Sequence, residues 1–222
     1  MRKLLLFCTL LISISISVTA QSFGVCAGIS KTAIRSQFLT DPSGTLGLNL
    51  GFINFIPVVN EFYIYQDFTV NTLGMNAALF EFDEDFFSNP VVIAHPDEKL
   101  TWFSAQYSLG PTFAYDEGKF YGGAGLSGSL VVPTGGAFNS GSVANGYYVT
   151  SELYEYSVND LSSDMFGFFG SAYVVAGGGT ESLKLHLKYN LMFTNLANSE
   201  YTESDNKMYA DVVTISLAYL FY

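Results

Sequence analysis

From Ser22 onward the hydrophobic residues recur at every second position, in short segments separated by Gly, Asn, Asp and Ser. A period of two belongs to β-strands, whose successive side chains point to opposite faces. Eight segments carry it: 22 to 30, 44 to 56, 60 to 73, 99 to 115, 119 to 131, 164 to 177, 182 to 194 and 208 to 222. Each holds nine or more residues, which is long for a soluble sheet and sufficient for a tilted strand to cross a bilayer. After residue 20 there is no run of 18 consecutive apolar residues, so no transmembrane helix is predicted.

The segment 182 to 194 shows the pattern most clearly. Leu183, Leu185, Leu187, Tyr189, Leu191 and Phe193 fall on one face, and Lys184, His186, Lys188, Asn190, Met192 and Thr194 on the other. A helix would scatter the two sets around its surface, whereas a strand separates them. In the last segment Val213, Ile215, Leu217, Tyr219 and Phe221 oppose Val212, Thr214, Ser216, Ala218, Leu220 and Tyr222. Leu46, Leu48, Leu50 and Phe52 oppose Gly47, Asn49 and Gly51. Phe62, Ile64, Phe68 and Val70 oppose Glu61, Tyr63, Tyr65, Asp67, Thr69 and Asn71, with Gln66 interrupting the apolar set. Phe103, Ala105, Tyr107, Leu109 and Phe113 oppose Trp102, Ser104, Gln106, Ser108 and Thr112. The segments at 119 to 131 and 164 to 177 are rich in Gly and weakly patterned. Glycine there permits the curvature and the large neighbours of a small closed barrel.

The connections 31 to 43, 57 to 59, 74 to 98, 116 to 118, 132 to 163, 178 to 181 and 195 to 207 alternate long and short. Short turns on one side and long loops on the other are the asymmetry of an outer-membrane barrel with both termini periplasmic. Aromatics gather near the strand ends. Phe55, Phe62, Tyr63, Phe113, Tyr115, Phe120, Tyr121, Tyr219, Phe221 and Tyr222 are expected at the periplasmic rim, and Trp102, Phe103, Phe166, Phe168, Phe193 and Tyr209 at the outer rim. Rings at these levels suit interfacial girdles. In lipid an open sheet edge would leave backbone groups unsatisfied, so the strands must close.

The expected fold is therefore all-β: an eight-stranded antiparallel transmembrane β-barrel of up-and-down topology, with short periplasmic turns and long extracellular loops. Such a barrel is filled by its own side chains. The facing assignments put Glu61 and Asp67 on one wall and Lys184, His186 and Lys188 on the opposite wall. These five residues are expected to form an interior charge network, because an unpaired charge in a dry lumen is costly.

Residues 1–20 carry two bases, an apolar stretch from Leu4 and the exit Val18-Thr19-Ala20. This is the pattern of a secretory signal peptide, which leaves 21–222 as the barrel domain. The whole chain has nine Lys and Arg against 20 Asp and Glu, a net charge of -11. Losing Arg2 and Lys3 with the leader leaves seven bases and a charge of -13. That balance argues against a nucleic-acid partner, since phosphate neutralisation needs clustered bases. Cys8 lies in the leader, so Cys26 has no partner for an internal disulfide and is expected to be a small buried or membrane-facing filler.

Catalytic and ligand-binding signals are sparse. The loop 74 to 98 holds Glu81, Asp83, Glu84 and Asp85, a candidate binding patch whose spacing does not match a calcium loop. His95 in that loop has no Cys or His at a metal-ligand spacing. No P-loop, dinucleotide fingerprint, Cys-x-x-Cys or serine elbow occurs, and neither Ser171 nor Ser182 has a base at a diagnostic spacing. No cofactor or metal is expected, and the chain reads as non-enzymatic.

The signal ending at Ala20-Gln21, FGVCAGIS at 23–30, GLNLGFINFIPVVNEFYIYQDFTV at 47–70, LKLHLKYNLMFTNL at 183–196 and ISLAYLFY at 215–222 together resemble the PorT-like outer-membrane β-barrel domain of Bacteroidota, over the entire mature chain. The architecture implied is that of the OmpX/OmpA-like eight-stranded barrels, with diversified extracellular loops. Relatives in that family include a secretion-pathway factor, but no contact motif here marks that role. The aromatic ending Phe221-Tyr222 resembles the signal used by barrel-assembly machinery. The expected partners are outer-membrane lipid and lipopolysaccharide, the assembly machinery during biogenesis, and an unidentified surface or secretion partner. Two alternatives stand beside a structural or surface-interaction role: a narrow transport channel or secretion-system component, and a soluble periplasmic lipocalin-like binder, which would need an apolar cup.

Overall fold

The structure, a computed structural model, describes residues 22–36, 40–84, 90–115, 119–144, 147–156, 167–195 and 208–221. The described residues form ten strands: β1 (Ser22–Ser36), β2 (Thr40–Gly44), β3 (Leu46–Val59), β4 (Phe62–Glu84), β5 (Pro90–Tyr115), β6 (Phe120–Ala144), β7 (Tyr147–Tyr156), β8 (Gly167–Gly179), β9 (Leu183–Met192) and β10 (Met208–Phe221). Eight of them make an antiparallel up-and-down barrel in the ring order β1-β3-β4-β5-β6-β8-β9-β10. The ring closes between β1 and β10, in register from Phe23 opposite Phe221 to Ser36 opposite Met208.

The described chain ends, Ser22 and Phe221, lie at the end that carries the short β3–β4, β5–β6 and β8–β9 connections. Asn60 turns the β3–β4 connection with a φ of 46°, a left-handed conformation that Asn tolerates better than most residues.

The wall alternates as its period of two requires. β9 reads exposed and buried in strict turn, Leu183 through Leu191 outward and Lys184 through Met192 inward. Leu185 is 55% exposed and Leu217, its partner on β10, 56%. Leu46, Leu48, Leu50, Phe52, Phe113, Leu126, Phe168 and Val174 carry the same apolar exterior around the ring. Gln66, the interruption in that face, lies opposite Asn54 on β3. Both amides are buried, and they hydrogen-bond at 3.4 Å.

Three features differ from the sequence expectations. First, the long connections are largely strand. β4 and β5 stay paired from Phe62–Phe113 out to Glu84–Pro90, and β6 continues to Ala144. β6 exchanges its partner β8 for β7 above Val131, and β2 pairs with β4 beyond the end of β3. A sheet of β2, β4, β5, β6 and β7 therefore projects past the ring. Isolated Gly, Pro and acidic residues in these stretches read as loop, while ladder hydrogen bonds hold them as strand.

Second, Phe55, Tyr121 and Trp102 are not rim girdle residues. They are 7%, 7% and 2% exposed and point into the barrel, because alternation along their strands places them inward. Phe113, Tyr115, Phe120, Tyr219, Phe221, Phe103, Phe168 and Phe193 do stand on the exterior. Phe166, Tyr222 and the leader at 1–20 lie outside the described residues. Third, Glu61 is exposed in the β3–β4 turn and takes no place in the lumen. The strand starts one residue later, so the alternation that would carry Glu61 inward does not reach it.

Candidate functional site

Inside the ring the side chains stack in three layers. At the end from which the sheet projects, an outer apolar cluster of Leu73, Met75, Leu100, Trp102, Val131, Phe169, Met192, Met208, Ala210 and Val212 fills the lumen. At the end with the short turns a second cluster includes Cys26, Ile53, Phe55, Tyr65, Tyr121, Tyr173, Val175, Ala218 and Leu220. Cys26 is thus a buried filler on the inward face. Between the two clusters lies a polar layer.

The middle layer is built by strands from opposite walls. β4 supplies Tyr65 and Asp67 and β9 supplies His186, Lys188 and Asn190, four places apart in the eight-membered ring. Lys188 Nζ donates to Asp67 Oδ2 at 2.5 Å and also to Ser108 Oγ on β5. The side chains are 4% and 0% exposed, so this ion pair is almost dry. Tyr65 donates its hydroxyl proton to the same Asp67 Oδ2 at 2.6 Å. The Lys188 ammonium also sits 4.9 Å from the centre of the Tyr173 ring, a cation–π contact that further compensates its desolvation.

His186 is held between two phenols. Its Nε2 lies 3.2 Å from Tyr65 Oη and its Nδ1 2.6 Å from Tyr121 Oη, with the Tyr65 and imidazole rings stacked at 5.7 Å. The proton positions follow from donor counting. Tyr65 spends its only proton on a carboxylate that can only accept, so its oxygen receives Nε2–H. In the neutral ring Nδ1 is then left to accept from Tyr121. The ring has no nitrogen free for a serine nucleophile.

The network climbs one step further. Asn190 Oδ1 accepts from Gln106 Nε2 at 3.1 Å and from Ser127 Oγ at 3.3 Å, and Ser127 lies 2.9 Å from Ser108. On the β1, β3 and β10 side, Ser30 and the Asn49 amide both donate to Asn71 Oδ1 at 2.8 and 2.7 Å. The chain Tyr121–His186–Tyr65–Asp67–Lys188–Ser108–Ser127–Asn190 links β4, β5, β6 and β9 across the lumen.

Glycines make room for its rings. A Cβ at Gly177 would occupy the space of the Tyr121 ring, and one at Gly125 would meet Tyr173 Cε1 at 2.8 Å. The glycine richness of β6 and β8 is therefore the complement of the large aromatics that these strands face.

Of the residues assigned to the charge network from sequence, Asp67, His186 and Lys188 come together. Lys184 is buried one inward position below His186 on β9, and Glu61 stands apart on its turn. Glu81, Asp83 and Glu84 fall on the distal end of β4, opposite Ile93, Val91 and Pro90 of β5. Asp85 lies outside the described residues.

Sequence reading missed a clamp at the outer end. Asp211 accepts from Arg35 Nε at 2.7 Å, Arg35 Nη2 at 2.9 Å, Tyr189 Oη at 3.0 Å and the Met192 amide at 2.9 Å. It takes up a backbone donor just where the β9–β10 ladder stops at Asn190–Val212. Arg35 falls in what reads as a loop, and only the β1–β10 register brings it to Asp211.

No protein-family model matches the chain, and no curated protein matches it. Among solved structures it is similar to Ail, the attachment invasion locus protein of Yersinia pestis, at 13% identity over 91% of this chain and 100% of that one, with a TM-score of 0.41. It is also similar to Ail in complex with the heparin analogue sucrose octasulfate, at 12% identity over 91% and 100% with a TM-score of 0.43. The outer membrane protein OprG from Pseudomonas aeruginosa is similar at 11% identity over 91% and 97% of the two chains, TM-score 0.43. At these identities and scores no residue role passes from them to this chain.

Proposed function

We propose that the protein is an integral outer-membrane barrel that conducts nothing through its lumen and acts as a rigid anchor for an external interaction sheet. The observation that carries this is the inversion of burial. Leu46, Leu48, Leu126 and Phe168 stand outward at 64–70% exposure while Asp67, Lys184, His186, Lys188 and Asn190 are 2–3% exposed inside. Water would reward the opposite arrangement, whereas hydrocarbon around a closed ring satisfies both faces. A lipocalin-like binder would need an apolar cup, and the interior here is occupied by the polar layer and two apolar clusters.

The same two clusters argue against the channel alternative, since each fills the lumen with packed side chains at one end of the polar layer. The sheet of β2, β4, β5, β6 and β7 extends about ten residues beyond the wall on β4, roughly 30 Å of strand. It lies opposite the short turns and both described chain ends, which places it outside the cell if the termini are periplasmic. Its partner would be a surface or secretion component, met at the distal end of β4, which carries Glu81, Asp83 and Glu84. Membership of the PorT-like group, export by the leader at 1–20, contact with lipopolysaccharide and recognition by assembly machinery belong to the same proposal. The role is non-enzymatic.

Three measurements test it. The protein should fractionate with the outer membrane and migrate differently on gels before and after boiling. In planar bilayers the folded protein should give no ohmic steps. Protease added to intact cells should cut within the projecting hairpins and spare the wall. Solubility and monodispersity in plain buffer would refute the membrane assignment, steady conductance the sealed lumen, and protection of the hairpins from external protease the orientation.

A further inference from the structure

A small internal cavity of about 20 Å³ lies between the polar layer and the outer apolar cluster. Its polar side is formed by Asn71, Ser104, Gln106, Ser129, Ser171 and Asn190. Two of these present unused polar atoms: Asn190 Nδ2 and Ser171 Oγ have no hydrogen-bond partner, and the residues are 2% and 3% exposed.

Turning the Asn190 amide by itself does not escape this. Its Oδ1 already receives Gln106 Nε2 and Ser127 Oγ, and a flipped amide would set NH2 against the Gln106 donor. Nδ2 therefore needs an acceptor inside the cavity. A volume of about 20 Å³ is enough to hold a water. A metal cation is the wrong partner for an N–H donor. A carboxylate or phosphate would find no basic side chain in the lining.

We propose that this cavity is a binding site for a single ordered water, which accepts from Asn190 Nδ2 and hydrogen-bonds to Ser171 Oγ. The water extends the lumen network from Asn190 on β9 to the neighbouring strand β8. The outer apolar cluster, with Trp102 and Met192 lining the cavity, separates it from the exterior, so the molecule exchanges slowly with bulk solvent. It completes the hydrogen bonding of the polar layer without opening a path through the barrel.

The test is a high-resolution crystal structure of the full mature barrel, combined with solution NMR of the refolded protein in lipid nanodiscs. One density peak within hydrogen-bonding distance of both Asn190 Nδ2 and Ser171 Oγ is expected. A long-lived water cross-peak to the Asn190 side-chain NH2 is also expected, and it should be lost in Ser171→Val, whose added methyl occupies the space. An empty cavity, or persistence of the cross-peak in folded Ser171→Val, overturns the site. Anomalous scattering there from crystals grown in a rubidium salt would mean a cation and overturns it equally. If Ser171→Val fails to refold, the wild-type density alone decides.

Discussion

Replacing Lys188 with Met removes the cation from a carboxylate that has almost no other support. Asp67 is buried with its side chain 0% exposed, its Oδ1 has no partner, and its Oδ2 would keep only the Tyr65 hydroxyl. Breaking a buried pair on one side leaves an uncompensated charge, at a cost of roughly 3–5 kcal/mol. Asp67→Leu leaves the Lys188 ammonium with Ser108 and the Tyr173 ring and should cost a similar amount. In the double variant Asp67→Leu/Lys188→Met both charges are gone and the side-chain volumes are nearly kept. It should lose several kcal/mol less than the two single losses combined, because neither desolvation penalty remains. Reversible urea unfolding of the refolded barrel in lipid vesicles, followed by tryptophan fluorescence, gives the four free energies of the cycle. The chain has one Trp, Trp102, inside the outer cluster, so the signal reports on the lumen. Additivity of the two single effects would refute the coupling and with it the account of the polar layer.

Other substitutions probe the remaining layers. Leu217→Arg places a cation on the exterior in register with Leu185 and should destabilise the vesicle-inserted barrel by roughly 2–4 kcal/mol if that position is near the bilayer midplane. A change under 1 kcal/mol, on the order of ordinary surface substitutions, would count against lipid there. Gly177→Ala puts a methyl into the space of the Tyr121 ring and should displace the phenol from His186 at a cost of about 1–3 kcal/mol. A changed His186 Nδ1 nitrogen chemical shift reads it out, and an unchanged one counts against the contact. Trp102→Ala removes the largest side chain of the outer cluster and should cost roughly 3–5 kcal/mol, measured as a lowered temperature for loss of the compact gel band. No lowering would mean that Trp102 does not pack as described.

What the sequence could decide here follows from the chemistry of a two-residue period. Alternation along 183 to 192 assigns both faces of β9 residue by residue, that along 212 to 221 assigns most of β10, and the same period in neighbouring segments assigns much of the wall. Opposite placement of Asp67 and Lys188 also follows from counting strands around a ring. Beyond the wall the signal fails, because β4, β5 and β6 leave the barrel carrying Gly, Pro and acids, and neither the ladder partners nor β7 are encoded in local hydrophobicity.

Periodicity likewise cannot say at what height a strand meets its neighbour. The β1–β10 register alone brings Arg35 to Asp211, and closure alone decides which lumen side chains meet Phe55, Tyr121 and Trp102, whose inward direction follows from alternation. The middle layer depends on the same non-local fact. His186 reads as one polar residue in an alternating strand, and only closure sets it between Tyr65 and Tyr121. Side-chain direction is a local property of an extended backbone, so it was legible in the chain. Which side chains meet depends on stagger between strands far apart in sequence, and only the closed tertiary structure decides it.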